Sequence, residues 1–292
     1  MSSVPHPPAA GVWAAWRLLG LTRLRRHPIG LVGMAIILAT VLTALVGPRV
    51  WRIGYADQIA RRLTAPSAAH PLGTDTLGRD ELSRIIHGAQ VSLQVGIVAV
   101  LIALALGTAV GVLAGFYRRR VDAVLMRGVD VMFAFPGLVL AILIAGLLGP
   151  SRTNAMIAIG IVYAPAFARV VRGATLGILN LPFVEAARSL GARDWWVIRR
   201  HIGPNIVAPL VVLTTIYLST SILSEAALSF LGLGTQPPEP SWGSMLDSSR
   251  SHMEQAPWLA IAPGCAIMIV VLGFNFLGDG LRDVLDPQLR DA

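Results

Sequence analysis

Unbroken apolar stretches dominate this sequence, and the longest constrains the fold most: no Asp, Glu, Arg or His occurs between His87 and Arg118. Crossing about 30 Å of hydrocarbon takes roughly 20 helical residues, and only a helix or a closed barrel satisfies its own backbone hydrogen bonds there. Six segments are apolar enough, at about 29–46, 91–117, 131–148, 155–171, 206–223 and 258–277. The fourth is the weakest, being short, holding Pro165 and carrying Arg169 near its end. An arginine at a helix centre costs about 2.5–3.5 kcal/mol on insertion scales, so Arg169 is expected at the interface. Hydrophobic side chains make up 54% of the 292 residues and charged ones only 14%, where a soluble domain carries roughly a quarter charged. The expected fold class is an all-α polytopic membrane protein of about six transmembrane helices. It has an N-terminal segment at 1–28, one transmembrane domain at 29–280 and a tail at 281–292.

The net charge of +8 invites a nucleic-acid reading, but the basic residues sit in short clusters between apolar runs with no aromatic-rich basic face. The positive-inside rule accounts for them instead. With the amino terminus inside and six alternating spans, sixteen arginines fall inside and eight outside, so both termini are expected in the cytoplasm. All 24 basic residues are arginine, so the phosphate-gripping lysine of a P-loop is absent and the chain is not itself a P-loop ATPase. The lone Cys265 lies inside an apolar run, which reads as a small lipid-facing or core residue. Arg17, Arg23, Arg25 and Arg26 ahead of an apolar stretch resemble a signal peptide. That stretch is too long for one and no small-x-small cleavage site follows, so an uncleaved anchor is expected.

Three segments between spans exceed a simple turn. In the first, 47–90, Leu82, Ile85, Ile86 and Ala89 fall at helical spacing, predicting an amphipathic helix that lies on the membrane surface. In the second, 229–257, Trp242 and Trp258 are expected as interfacial anchors. The third, 173–205, is inside and carries its own start and stop signals. Pro182 suits a first helical position, Glu185 lies in the positively polarised first turns, and Gly191 can end the helix in a left-handed conformation. Asp194 can cap a second short helix, which Gly203-Pro204 terminates. The expected product is helix, turn, helix, with the small Ala186 and Ala187 allowing close backbone approach and Trp195 and Trp196 offering apolar area. Chemistry alone leaves two readings: a hairpin lying in the headgroups, or a docking element for another protein.

The order of residues separates them. Glu185-Ala186-Ala187, three residues, Gly191, then a spacer to Ile202-Gly203-Pro204-Asn205 between two spans resembles the EAA loop of binding-protein-dependent ABC importer permeases. His70-Pro71-Leu72-Gly73-Thr74-Asp75-Thr76-Leu77-Gly78-Arg79-Asp80, Ala134-Phe135-Pro136, Ser229-Phe230-Leu231-Gly232-Leu233-Gly234, Pro240-Ser241-Trp242-Gly243 and Asn275-Phe276-Leu277-Gly278-Asp279-Gly280-Leu281-Arg282-Asp283 resemble phrases of one branch. That branch is the C-type permease of oligopeptide and dipeptide importers, which also includes nickel and glutathione systems. The resemblance implies a type I ABC importer permease fold and a coupling helix, at Glu185, Ala186, Ala187, Arg188, Gly191 and Ala192, that docks on an ATPase. It further implies a second homologous permease, two cytoplasmic ATPase subunits that bind ATP and Mg, and an extracytoplasmic peptide-binding protein. This chain is expected to be a transport subunit in the bacterial cytoplasmic membrane, with no cofactor, metal, catalytic constellation or nucleic-acid partner of its own.

Other polar groups carry weaker expectations. Asp75, Arg79 and Asp80 read as helix caps with a local ion pair, ahead of an outer metal or substrate site. Glu225 at the outer end of the fifth span is a candidate outer gate. Asn275 reads as a hydrogen-bonding link between spans. A proton- or sodium-coupled secondary transporter would place carboxylates near the bilayer midplane, and the six spans contain no Asp or Glu.

Overall fold

The computed structural model describes residues 27–285, so the expectations for 1–26 and 286–292 lie outside the described residues. Among the described residues there are ten α-helices and no strand, only the isolated bridges Gln58↔Arg79 and Thr74↔Asp80. We number the helices α1 (Pro28–Val50), α2 (Glu81–Tyr117), α3 (Arg119–Phe133), α4 (Gly137–Leu148), α5 (Arg152–Leu179), α6 (Pro182–Ser189), α7 (Asp194–Val197), α8 (Gly203–Phe230), α9 (Trp242–Ser249) and α10 (Trp258–Leu285). Five helical stretches are long and apolar enough to cross a membrane, and the pair α3 and α4, bent by 93° at its break, makes a sixth if counted as one span.

Three boundaries differ from expectation for local reasons. The segment expected to lie on the membrane surface is instead the first turns of α2, because Asp80 caps Ser83 N–H at 2.8 Å and nothing breaks the helix before Tyr117. At a rise of about 1.5 Å per residue, α2 outlasts the hydrocarbon thickness. The third span is broken rather than straight: Pro136 cannot continue a helix from Phe133 and instead precedes the new start at Gly137. Gly203-Pro204 does not stop the chain's helix either. A π-turn, Ile198–Ile202, bonds Gly203 N–H to the Ile198 carbonyl and delivers Pro204 to the start of α8, where its missing N–H costs nothing.

Small residues set the packing. Gly107, Gly111 and Gly115 recur every four residues along α2, against Ala164, Phe167, Ala168, Val171 and Thr175 of α5. A Cβ on Gly111 would lie 2.5 Å from the Ala168 carbonyl oxygen and 3.0 Å from Arg172 N. Such backbone contact is the small-xxx-small mode of helix association in lipid, where packing replaces the hydrophobic drive. Gly33 brings α1 equally close to α10 at Gly273 and Leu277. Asn275 of α10 accepts a hydrogen bond from Ser219 Oγ of α8 at 2.8 Å, the expected link between spans.

The segment 51–80 is organised by buried acids. Asp80 also accepts from Trp51 Nε1 at 2.8 Å and pairs with His70 Nδ1 at 2.9 Å, while Asp75 pairs with Arg79 at 2.6 Å. Capping and ion pairing are therefore what these residues do, as their sequence suggests. Trp242, in contrast, is no interfacial anchor. It is 2% exposed in a core with Ala89, Leu93, Ile222, Met245 and Phe274, and its Nε1–H donates to the Ile85 carbonyl at 3.1 Å.

Candidate functional site

The segment between α5 and α8 folds as a hairpin whose ends are written in its sequence. Pro182 is the first residue of α6, Glu185 lies in its first turn and Arg188 in its last. Gly191, at φ +81°, turns the chain: its N–H donates to the Arg188 carbonyl at 2.9 Å, and Ala192 N–H donates to the Ala187 carbonyl at 3.0 Å. This pair of bonds is the Schellman stop, which needs a left-handed residue where glycine sits. Asp194 begins α7 but does not cap it; Arg193 holds the cap position, with no side-chain bond to the helix.

Burial divides the hairpin into an anchored and a presented side. Val184, Val197 and Ile202 are fully buried with Phe116, Val171, Ile178 and Ile206, so both hairpin helices are pinned to the ends of α2, α5 and α8. His201 sits between the rings of Phe183 and Trp196, with centroids 5.3 and 5.0 Å away, and Arg188 stacks over Phe116 at 5.0 Å. On the other side, Leu190 is 89% exposed, Trp195 69% and Trp196 49%. Glu185, Ala186, Arg188 and Gly191 are exposed beside them, and Ala187 and Ala192 are half-buried. Large apolar groups clustered on a tip with small residues and mixed charge make an exposed apolar patch, the kind of surface found at protein and membrane interaction sites. Among these hairpin residues there is no nucleophile and base pair.

Glu225 lies at the far end of α8, 23 residues beyond Ile202, about 35 Å away along a helix. It is 1% exposed. Its Oε2 accepts from Ser92 Oγ of α2 at 3.0 Å and its Oε1 from Ser229 Oγ at 2.7 Å. Ser92 in turn accepts Trp242 N–H at 3.3 Å, and Ser229 accepts Thr235 N–H at 3.1 Å. One carboxyl thus fastens two spans to the segment leading into α9. Sequence reasoning placed Glu225 at a helix end but missed these partners, which are serines 4 to 133 residues away. It also missed His201 and the ion pairs joining α3 to α5, since no local spacing announces contacts between distant segments.

Residues 107–291 match the family described as binding-protein-dependent transport system inner membrane component, and residues 13–66 match the N-terminal transmembrane domain of oligopeptide transport permease C. The chain is 46% identical over 269 residues to the dipeptide transport system permease protein DppC of Alkalihalophilus pseudofirmus, covering 92% of this chain and 88% of that one. It is 51% identical over 225 residues to the glutathione transport system permease protein GsiD of Pectobacterium atrosepticum, covering 77% of this chain and 75% of that one. Its fold is similar to a chain of the inward-facing MetNI methionine ABC transporter, with a TM-score of 0.57 at 21% identity, over 68% of this chain and 95% of that one. Multiple apolar helices, a presented hairpin and these matches agree: the chain belongs to the binding-protein-dependent transport system inner membrane components, as a multi-pass permease subunit of an ABC importer.

Proposed function

We propose that this permease moves peptides into the cell and takes its drive from separate ATPase subunits that dock on the hairpin. The observation that carries the docking is the exposed tip, with Leu190, Trp195 and Trp196 bare around Glu185, Ala186, Arg188 and Gly191, on a hairpin pinned rigidly by Val184, Val197 and Ile202. The half-buried Ala187 and Ala192 shape the turn that presents it. Rigid anchoring lets force on the tip reach α5 and α8 rather than dissipate in a loop. ATP and Mg belong to the ATPase subunits, since this chain has no lysine for a P-loop. The working assembly has a second, homologous permease, two ATPases on the cytoplasmic side and an extracytoplasmic peptide-binding protein. The arginine bias supports a cytoplasmic hairpin and cytoplasmic termini. Glu225, on the opposite side, is the outer gate element, and its hydrogen bonds to Ser92 and Ser229 support a role in holding the outer segment closed.

Glutathione, itself a small peptide, is the second cargo reading, favoured by 51% identity to a glutathione permease. The test uses a Cys265→Ser background carrying Glu185→Cys. Cross-linking from position 185 is expected to capture an ATPase subunit, and ATP hydrolysis by the purified complex is expected to rise with di- or oligopeptides and their binding protein. Absence of ATPase capture refutes the docking; stimulation by glutathione alone transfers the cargo to the second reading.

A further inference from the structure

Helix α3 is attached to the rest of the chain in an unusual way. Of its 15 residues only Val129 is buried, so apolar packing does little to hold it. Both of its ends are joints. At the first, Arg118 and Arg119 adopt φ of +51° and +45°, positive values that cost a non-glycine residue about 1–3 kcal/mol each. At the second, the chain breaks by 93° into α4.

Polar contacts to α5 hold what packing does not. Arg172 donates from Nε to Asp122 Oδ1 at 2.5 Å and from Nη2 to Asp122 Oδ2 at 2.6 Å, a two-bond fork. Arg169 donates to Asp130 Oδ1 at 2.6 Å and lies 4.0 Å over the Phe133 ring. Arg118, in the strained joint, donates to Asn180 Oδ1 at 3.0 Å. The partners run in opposite order along the two helices, forming a ladder that ends at Asn180, two residues before α6 begins. A single exposed ion pair contributes about 0–1 kcal/mol, but bidentate geometry and several linked rungs raise that and fix orientation.

We propose that Asp122 and Arg172, supported by Asp130, Arg169, Arg118 and Asn180, are positioning residues of transport: they lock α3 to α5 so that movement of the hairpin carries α3 with it. This rests on the docking reading above and adds the element to which the stroke is delivered. A helix joined to its neighbours only through two breaks follows whatever else it is tied to, and the ladder ties α3 to the helix that enters the hairpin. Polar rungs suit that task because they keep direction while allowing release and re-formation, whereas interdigitated apolar packing does not slide readily.

The experiment reconstitutes the whole importer in vesicles with wild-type chain, Asp122→Arg, Arg172→Asp, and the charge-swapped double variant, measuring uptake and ATP hydrolysis together. Each single reversal is expected to leave ATP hydrolysis running and lower uptake per ATP by about tenfold, within the usual span of coupling between sites. The double variant, which restores the pair in reverse, is expected to recover most of it. Rescue by exchange shows that the pair itself matters, and uptake per ATP read on assembled complexes separates coupling from a need for folding or assembly alone. An assembled single reversal with wild-type uptake per ATP overturns the proposal, as does an assembled double variant no better than the singles. Should Asp122→Arg fail to assemble, Asp122→Asn takes its place under the same criteria. Cross-linking at position 185 in the same vesicles separates the two ideas: lost capture refutes docking, while retained capture with unchanged uptake per ATP refutes the ladder alone.

Discussion

Replacing Gly111 by alanine tests the claim that glycines bring α2 and α5 together. A Cβ there would stand 2.5 Å from the Ala168 carbonyl oxygen, 2.7 Å from Val171 Cβ and 3.0 Å from Arg172 N. Two of those three atoms are backbone, so no rotamer change relieves the overlap and the helices must move apart. Overpacking of this kind costs about 1–3 kcal/mol, and rigid neighbours place it toward the upper end. Alanine returns about 1 kcal/mol through its helix propensity. The net expectation is a loss of about 1–2 kcal/mol, or a fall of about 2–3 °C in the unfolding midpoint for a chain of this size. Gly128 on the exposed face of α3 supplies the control, because a Cβ there meets nothing within 4 Å. Gly128→Ala should keep the propensity gain of up to about 1 kcal/mol without the clash. Both are measured by thermal unfolding in one detergent, following intrinsic tryptophan fluorescence. A midpoint for Gly111→Ala equal to or above that of Gly128→Ala refutes the close-packing argument.

Trp242→Ala should cost about 3–5 kcal/mol by emptying the core between α2, α8 and α9, visible as a lower midpoint in the same assay; an interfacial anchor would lose far less. A Cβ at Gly191 meets no neighbour within 4 Å, so the cost of Gly191→Val is chiefly backbone strain, about 1–2 kcal/mol. It should leave the chain folded yet lower uptake per ATP in reconstituted vesicles, and unaltered coupling would count against the Schellman turn as a working part. Glu225→Ala leaves the Ser92 and Ser229 hydroxyls without their buried acceptor, costing about 1–3 kcal/mol for each unsatisfied group. Faster proteolytic cleavage in 231–241 is expected, and an unchanged cleavage rate would show that the carboxyl does not fasten this segment.

The apolar runs and the hairpin's punctuation were legible in the sequence because both are local. A run of 30 residues without Asp, Glu, Lys, Arg or His has one stable fate in lipid, and Pro182 and Gly191 state where α6 starts and stops whatever surrounds them. The exceptions were residues whose meaning depends on distant partners. Trp242 reads as an anchor by type, yet its indole fits against Gly88 and donates to Ile85, 157 residues away. Gly203-Pro204 reads as a stop, yet the π-turn before it shifts the bond register so that proline begins the next helix.

Sequence alone therefore determined the solvent, the helical class, the spans' approximate places and the hairpin that resembles an EAA loop, since each follows from side-chain polarity or backbone freedom within a few residues. Tertiary structure decided the rest: that Gly107, Gly111 and Gly115 face α5, that Glu225 is sealed among serines, and that Asp122 and Asp130 meet Arg172 and Arg169. Those contacts depend on how helices cross, and crossing is fixed by the closest approach that small residues permit between segments far apart in the chain.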